Sequence, residues 1–381
     1  MRRLVPLASS IVAVDTVFFA VLTPLLPHFA DKFDLSKAGA GILVGCYGGG
    51  ALVAGIPAGI AASRFGPKRA ALTGLSVVAL ASLGFALAPD VWLLGAARFC
   101  QGVGSVFSWA GALAWLVAEA PRERRGEMIG NAMGAAVFGA LLGPALGATA
   151  SVVGIRLAFF VVTGLAACLF IWAATTPGAR PDPQPLSEAR RAFRDRTMAG
   201  GLWLVVLPAL LFGVLIVLVS LRLDHNGWGA VGIGALFLGV TALEVLLNPL
   251  LGRFTDRRGR LVPVRAALIG SALVSVAFAW ARSPALVVVL TIVAGVVYGA
   301  FYTPGMAIIA DGAERLGLAQ GLAFGVMNAS WAVGAVAGPA AGGALASAAG
   351  DALPYLLMAG LCVVTLAALR LRHAQPASVR A

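Results

Sequence analysis

The sequence predicts an all-α membrane protein: twelve spanning helices in two pseudo-symmetric six-helix bundles. Three observations carry this. Apolar residues make up 60% of the 381 residues and charged residues only 12%. The apolar residues fall in twelve long runs separated by short charged clusters. Two glycine-containing motifs recur at nearly one offset, which implies a duplicated six-helix unit.

A soluble domain carries about a quarter charged residues. With mean hydropathy +0.93, this chain has too little polar surface to cover a water-soluble core. A lipid solvent removes that difficulty. The formal net charge of +12 could suggest nucleic acid, but the charges sit in loops between apolar runs, so no nucleic-acid partner is expected. The cysteines Cys46, Cys100, Cys168 and Cys362 lie inside apolar segments at wide spacing. That fits small buried hydrophobes better than a metal site or a disulfide framework. Arg2 and Arg3 resemble a signal-peptide n-region, yet the apolar stretch that follows is too long for one and eleven more follow it.

A spanning helix needs about 20 mostly apolar residues. The runs lie at 5–30, 38–62, 68–88, 91–118, 127–150, 154–175, 199–221, 229–252, 262–281, 284–310, 318–346 and 352–370. Backbone groups in hydrocarbon must bond internally, so each run is expected to be a helix. With both termini in the cytoplasm, 22 of the 28 basic residues fall on the cytoplasmic side. Five (Lys32, Lys37, Arg156, Arg222, Arg282) fall outside, and Arg98 lies inside a span. This distribution satisfies the positive-inside rule. It predicts a multi-pass protein of the cell inner membrane with both termini cytoplasmic. Residues 1–175 form the first bundle, the Pro- and charge-rich stretch 176–198 a cytoplasmic linker, and 199–381 the second bundle.

The repeat is specific. Gly59, Arg64 and Gly66 after the second span correspond to Gly252, Arg257 and Gly259 after the eighth, at an offset of 193. Gly139, Gly143, Pro144 and Gly147 in the fifth span correspond to Gly334, Gly338, Pro339 and Gly342 in the eleventh, at an offset of 195. Such duplication implies two bundles facing each other across a central cavity. The loop pattern resembles the G-x-L-A-D-R-x-G-R-K motif of the major facilitator superfamily. The Gly-Pro pattern resembles the helix-5 motif of its drug/proton antiporter branch. Arg98-Phe-Cys-Gln101-Gly102 resembles R-x-x-Q-G of helix 4, and Asp15 with Pro24-Leu-Leu-Pro27 is similar to helix 1 of vesicular amine and related bacterial drug transporters. There is one departure: the acidic position of the first loop motif is Ser63, whereas the second copy keeps Asp256. In the family that acid helps hold the cytoplasmic gate, so the resemblance implies a first-half gate built differently or weaker.

A charge at mid-bilayer costs roughly 3 kcal/mol or more, which makes the intramembrane ionisable residues informative. They are Asp15, Arg98 and Glu244. Asp15, about ten residues into the first span, lies roughly 15 Å deep, where a carboxyl can bind and release a proton or pair with a cationic substrate; a protonated carboxyl bonded to a neighbouring helix is the structural alternative. Glu244 shares a helical face with Thr241 and Asn248, and a polar stripe on an apolar helix should face a cavity. Arg98 shares a face with Gln101 and Ser105, and roughly with Trp109. In the resembling family this arginine is tied to proton coupling; a guanidinium snorkelling outward or bonded to backbone carbonyls is the structural alternative. Tyr47, Tyr298 and Tyr302 (one turn apart), Asn328 and Trp331 complete the candidate substrate surface, since aromatic rings hold apolar or cationic groups. Each also has a plain packing alternative. The Gly-Pro segments are expected to bend at the interface between halves, and Gly66 and Gly259 to make tight cytoplasmic turns.

Function follows as an expectation. No phosphate-cradling motif occurs, and His28, His225 and His373 are scattered, so neither an enzyme nor a cofactor or metal site is indicated. The leading reading is a secondary active transporter, a monomer in the lipid bilayer that exports a small organic or drug-like molecule in exchange for protons. The alternatives are a proton-coupled uptake symporter and a non-transporting membrane sensor or scaffold.

Overall fold

A computed structural model describes residues 3–120, 125–178, 193–318 and 320–374. Twelve helices long and apolar enough to cross a membrane occur among them. In chain order they are α1 (Leu4–Lys32), α2 (Lys37–Phe65), α3 (Pro67–Leu87), α4 (Val91–Glu119), α5 (Arg125–Val153), α6 (Ile155–Thr175), α7 (Arg196–His225), α8 (Gly229–Arg258), α9 (Leu261–Trp280), α10 (Pro284–Arg315), α11 (Gln320–Ala349) and α12 (Ala352–Ala374). Every apolar run named from the sequence is one of these. Most of the linker, residues 179–192, lies outside the described residues, as do Arg2, Arg122, Arg124 and Arg380.

The ends are set by local chemistry. Ser36, Asp90, Asp195 and Ser283 accept from the exposed amides of Gly39, Leu93, Met198 and Leu286, so each caps a helix N-terminus. Asp90 and Ser283 stand 193 residues apart, before α4 and α10, so the repeat extends to the caps. Gly66 (φ 95°) and Gly259 (φ 77°) turn α2 into α3 and α8 into α9 in the region that favours glycine. The tight turns expected of the loop motif are present in both copies.

Two helices are loosened at one turn, where the backbone stays in the right-handed helical region (Val21 φ −61°, ψ −27°; Ala300 φ −61°, ψ −15°; Phe301 φ −76°, ψ −31°). α1 consists of Leu4–Ala20 and Leu22–Lys32, interrupted at Val21. α10 consists of Pro284–Gly299 and Tyr302–Arg315, interrupted at Ala300 and Phe301. In each, a proline a few residues on (Pro24, Pro304) cannot donate to the carbonyl four residues back, which loosens that turn.

Within the first bundle α5 packs on α1, α4 on α2 and α3, and α6 on α3; within the second, α11 packs on α7 and α12 on α9. The bundles meet along α2·α11 and α5·α8. Large apolar side chains such as Trp92 (84% exposed) and Val152 (73% exposed) point outward, where lipid would cover them.

The Gly-Pro motif proves two-sided, which corrects the expectation that it lies simply between the bundles. Gly139, Gly143 and Gly147 lie against Ala13, Ala20 and Val21 of α1, inside their own bundle. Gly334, Gly338 and Gly342 lie in the same way against Val206, Leu210 and Val214 of α7. The prolines reach across instead. The Pro339 carbonyl meets Gly41 of α2, and the Pro144 carbonyl meets Gly234 of α8. A Cβ at Gly41 would overlap that oxygen, and one at Gly234 would sit 2.9 Å from its counterpart. Gly41 and Gly234 are themselves 193 residues apart. Both helices run through their prolines without interruption.

These crossings define the state. The far face, away from the chain ends, is closed by Gly41–Pro339, Gly234–Pro144 and an ion pair from Lys37 Nζ to Asp351 Oδ1 of 2.5 Å. Toward the terminal face the helices separate. A Cβ at Gly59, Gly130, Gly252 or Gly325, on the four interface helices, would meet nothing within 4 Å.

Candidate functional site

The polar interior of the first bundle is built on one face of α4. Arg98, Gln101, Ser105 and Ser108 follow one another at helical spacing, and all are buried. The face turns toward α1, where Asp15 is 4% exposed. Ser105 Oγ donates to Asp15 Oδ2 at 2.5 Å, and Ser108 Oγ lies 3.2 Å from Oδ1. Tyr47 and Trp109 stand near this carboxyl as well. Asp15 is therefore fully cradled inside its own bundle in this state.

Arg98 takes the backbone alternative raised by its position. Its Nη1 donates to the Phe18 carbonyl at 2.7 Å and to Gln101 Oε1 at 3.0 Å, and its Nη2 to the Phe19 carbonyl at 2.7 Å. The guanidinium thus grips the turn of α1 just before Val21. It also lies 4.7 Å from the Tyr47 ring centroid, within cation–π range. Among the described residues no ion pair joins it to Asp15; Tyr47 stands between them. Gln101 is saturated by Arg98 and by Ser82, to which its amide donates at 3.1 Å. In this state Gln101 is a bracket for Arg98, with no surface left for a substrate.

In the second bundle Glu244 and Asn248 line one cavity of about 280 Å³ between α8 and α10, together with Leu247, Leu251, Val296 and Gly299. The shared face read from the sequence is real for these two, while Thr241 bonds back to the Phe237 carbonyl at 2.9 Å. The cavity lies within the second bundle, not between the bundles. Gly299 leaves room for the Glu244 carboxylate, which a Cβ there would overlap. Tyr298 and Tyr302 have different neighbours. Tyr298 is 1% exposed, bonds Ser275 at 3.0 Å and meets Phe212 edge-on at 5.6 Å. Tyr302 is within electrostatic reach of Glu244 and packs, like Trp331, against the apolar cluster that holds Met198, Val326 and Met327.

An aromatic contact joins the bundles at this level, beside the close approach of α2 and α11. Phe19 of α1 lies 5.1 Å, edge-on, from Trp331 of α11 and 5.2 Å from Tyr47. The rings of Tyr47, Phe19 and Trp331 therefore form one succession of contacts across the interface, with Asp15 near its first-bundle end. Sequence reasoning missed Phe19 and Ser108. Ser108 had a signal, as the fourth member of the α4 polar stripe; Phe19 had none among so many apolar neighbours. Asn328 is half-buried on α11. Of the loop-motif residues, Arg64 and Arg257 are exposed, Ser63 Oγ donates to the Ile60 carbonyl at 3.0 Å, and the Asp256 side chain lies outside the described residues.

Comparisons with known proteins agree with this architecture. The family model for the Major Facilitator Superfamily matches residues 8–223 and 202–381. Multidrug resistance protein 1 of Bacillus subtilis (strain 168) is 26% identical over 342 residues, 85% of each chain. An uncharacterized MFS-type transporter of Yersinia pestis (strain Pestoides F) is 25% identical over 92% of this chain and 91% of its own. Among solved structures, a bacterial homolog of the human lysosomal transporter Spinster, inward-facing and unoccupied, aligns with TM-score 0.77 at 14% identity over 96% of this chain and 95% of its own. The Escherichia coli xylose transporter XylE, partially occluded and inward open, gives 0.72 at 15% identity over 98% and 99%. With twelve spans in two facing bundles and a match to both halves, the chain belongs to the Major Facilitator Superfamily and is a transporter, not an enzyme.

Proposed function

We propose that the chain is a proton-coupled exporter of a small organic or drug-like molecule, working by alternating access in the cell inner membrane with its termini in the cytoplasm. The observation that carries this reading is the placement of one intramembrane carboxyl in each bundle, Asp15 and Glu244, on either side of the aromatic contact that crosses the interface. A carboxylate at such depth is costly, and proton binding removes the cost. The two groups can then favour different arrangements of the bundles according to whether each holds a proton. The likeness to a multidrug resistance protein supports export, and the sparse basic residues of the far face support the orientation.

In the described state a substrate would enter from the terminal face, lie against Tyr302, Trp331 and Phe19, and leave once the far-face contacts part. Purified protein in liposomes with an imposed pH gradient tests this. Substrate movement opposite to proton movement, abolished in Asp15→Asn, is expected. Protons and substrate moving in the same direction would refute export and establish uptake.

A further inference from the structure

We propose that the far-face end of the first bundle carries a binding site for the phosphate headgroup of an anionic phospholipid. A cavity of about 420 Å³ lies where the ends of α1, α3, α5 and α6 converge. Lys32 and Arg156 supply two permanent cations at its rim, with the imidazole of His28 and the Ser151 hydroxyl beside them, while Phe29 and Phe85 form an apolar floor. No carboxylate is among the lining residues.

The charge is the telling feature. Five basic residues fall on the far face. Lys37 is paired with Asp351, and Arg222 donates to the Ala281 carbonyl. Lys32, whose ammonium lies 4.8 Å from the Phe33 ring centroid, and Arg156 instead both line one cavity, and among the described residues neither has an acidic partner. A guanidinium matches a phosphate with two parallel hydrogen bonds, and an ammonium adds a mobile point charge.

A lipid is favoured over a free anion by what surrounds the rim. Leu87, Val152, Val153 and Leu157, on the same ends of α3, α5 and α6, are 50–73% exposed. Acyl chains would cover that surface while the phosphate sat at headgroup depth, since the cavity lies where the spans end. Occupancy would tie the outer segment of α1, beyond Val21, to α6.

Thermal unfolding of the full chain in detergent, with titrated phosphatidylglycerol, phosphatidylcholine or inorganic phosphate, tests the assignment. Phosphatidylglycerol should raise the melting temperature saturably, whereas the other two should not. Lys32→Gln with Arg156→Gln should weaken the phosphatidylglycerol response about tenfold or more, given the usual contribution of a basic residue near charged lipid. Both side chains are exposed, so the fold should survive. Ser151→Trp, which fills the cavity and keeps both charges, should weaken it as well, and Arg282→Gln, a far-face cation elsewhere, should leave it intact. An undiminished response in both the double variant and Ser151→Trp would overturn the site. An equal response to inorganic phosphate would overturn the lipid assignment.

Discussion

Arg98 shows how far a single residue can be read. Its identity and its place in a helix-4 motif marked it as exceptional, and its depth left open whether it snorkels. The structure sends it inward to two carbonyls of α1. A charged donor to a buried carbonyl contributes about 1.5–3 kcal/mol. Arg98→Ala should therefore lower the melting temperature of the purified protein markedly, and Arg98→Lys, with a point charge in place of a planar fork, should recover only part of the loss. An unchanged melting temperature in Arg98→Ala would show that the grip on α1 does not hold the bundle. Phe19 is the opposite case, silent in the sequence. If it carries contact between the bundles, Phe19→Ala should leave proton binding intact and slow transport in liposomes, while Phe19→Leu retains more activity.

At the scale of elements, hydropathy located all twelve helices, because the bilayer demands long unbroken apolar runs. It did not locate the loosened turns in α1 and α10. Prolines occur in α2, α5, α7 and α11 as well, and those helices continue through them, so proline alone does not determine where a helix is interrupted. The neighbours of Tyr298 and Tyr302, Ser275 and Phe212 for the one and the Met198 cluster for the other, are set by packing and not by the one-turn spacing. The repeat was legible as motifs, but the pairing of Gly41 with Pro339 and Gly234 with Pro144 needed the packing. At these crossings a larger residue must push the helices apart. Gly41→Leu or Gly234→Leu should hold the far face open, seen as increased reagent access to a cysteine placed at Gly45, with transport lost. Unaltered access would mean that the far face closes without these contacts.

For the whole molecule, the balance between states rests on many small terms. Lys37 and Asp351 are partly exposed (40% and 27%), so their ion pair contributes at most about 1 kcal/mol. Lys37→Ala should thus shift the far-face equilibrium by no more than about fivefold. The carboxyls matter more, because protonation removes a whole charge from within the membrane-spanning region. The most direct test uses distances between spin labels at two pseudo-symmetric pairs, Pro89 with Arg282 on the far face and Arg69 with Val262 on the terminal face, in a background lacking the four native cysteines. As pH is varied, the two distances should change in opposite senses in the parent protein and stay fixed in Asp15→Asn/Glu244→Gln. Distances that still respond to pH in the double variant would contradict the assignment of these two carboxyls as the groups that set which face is open.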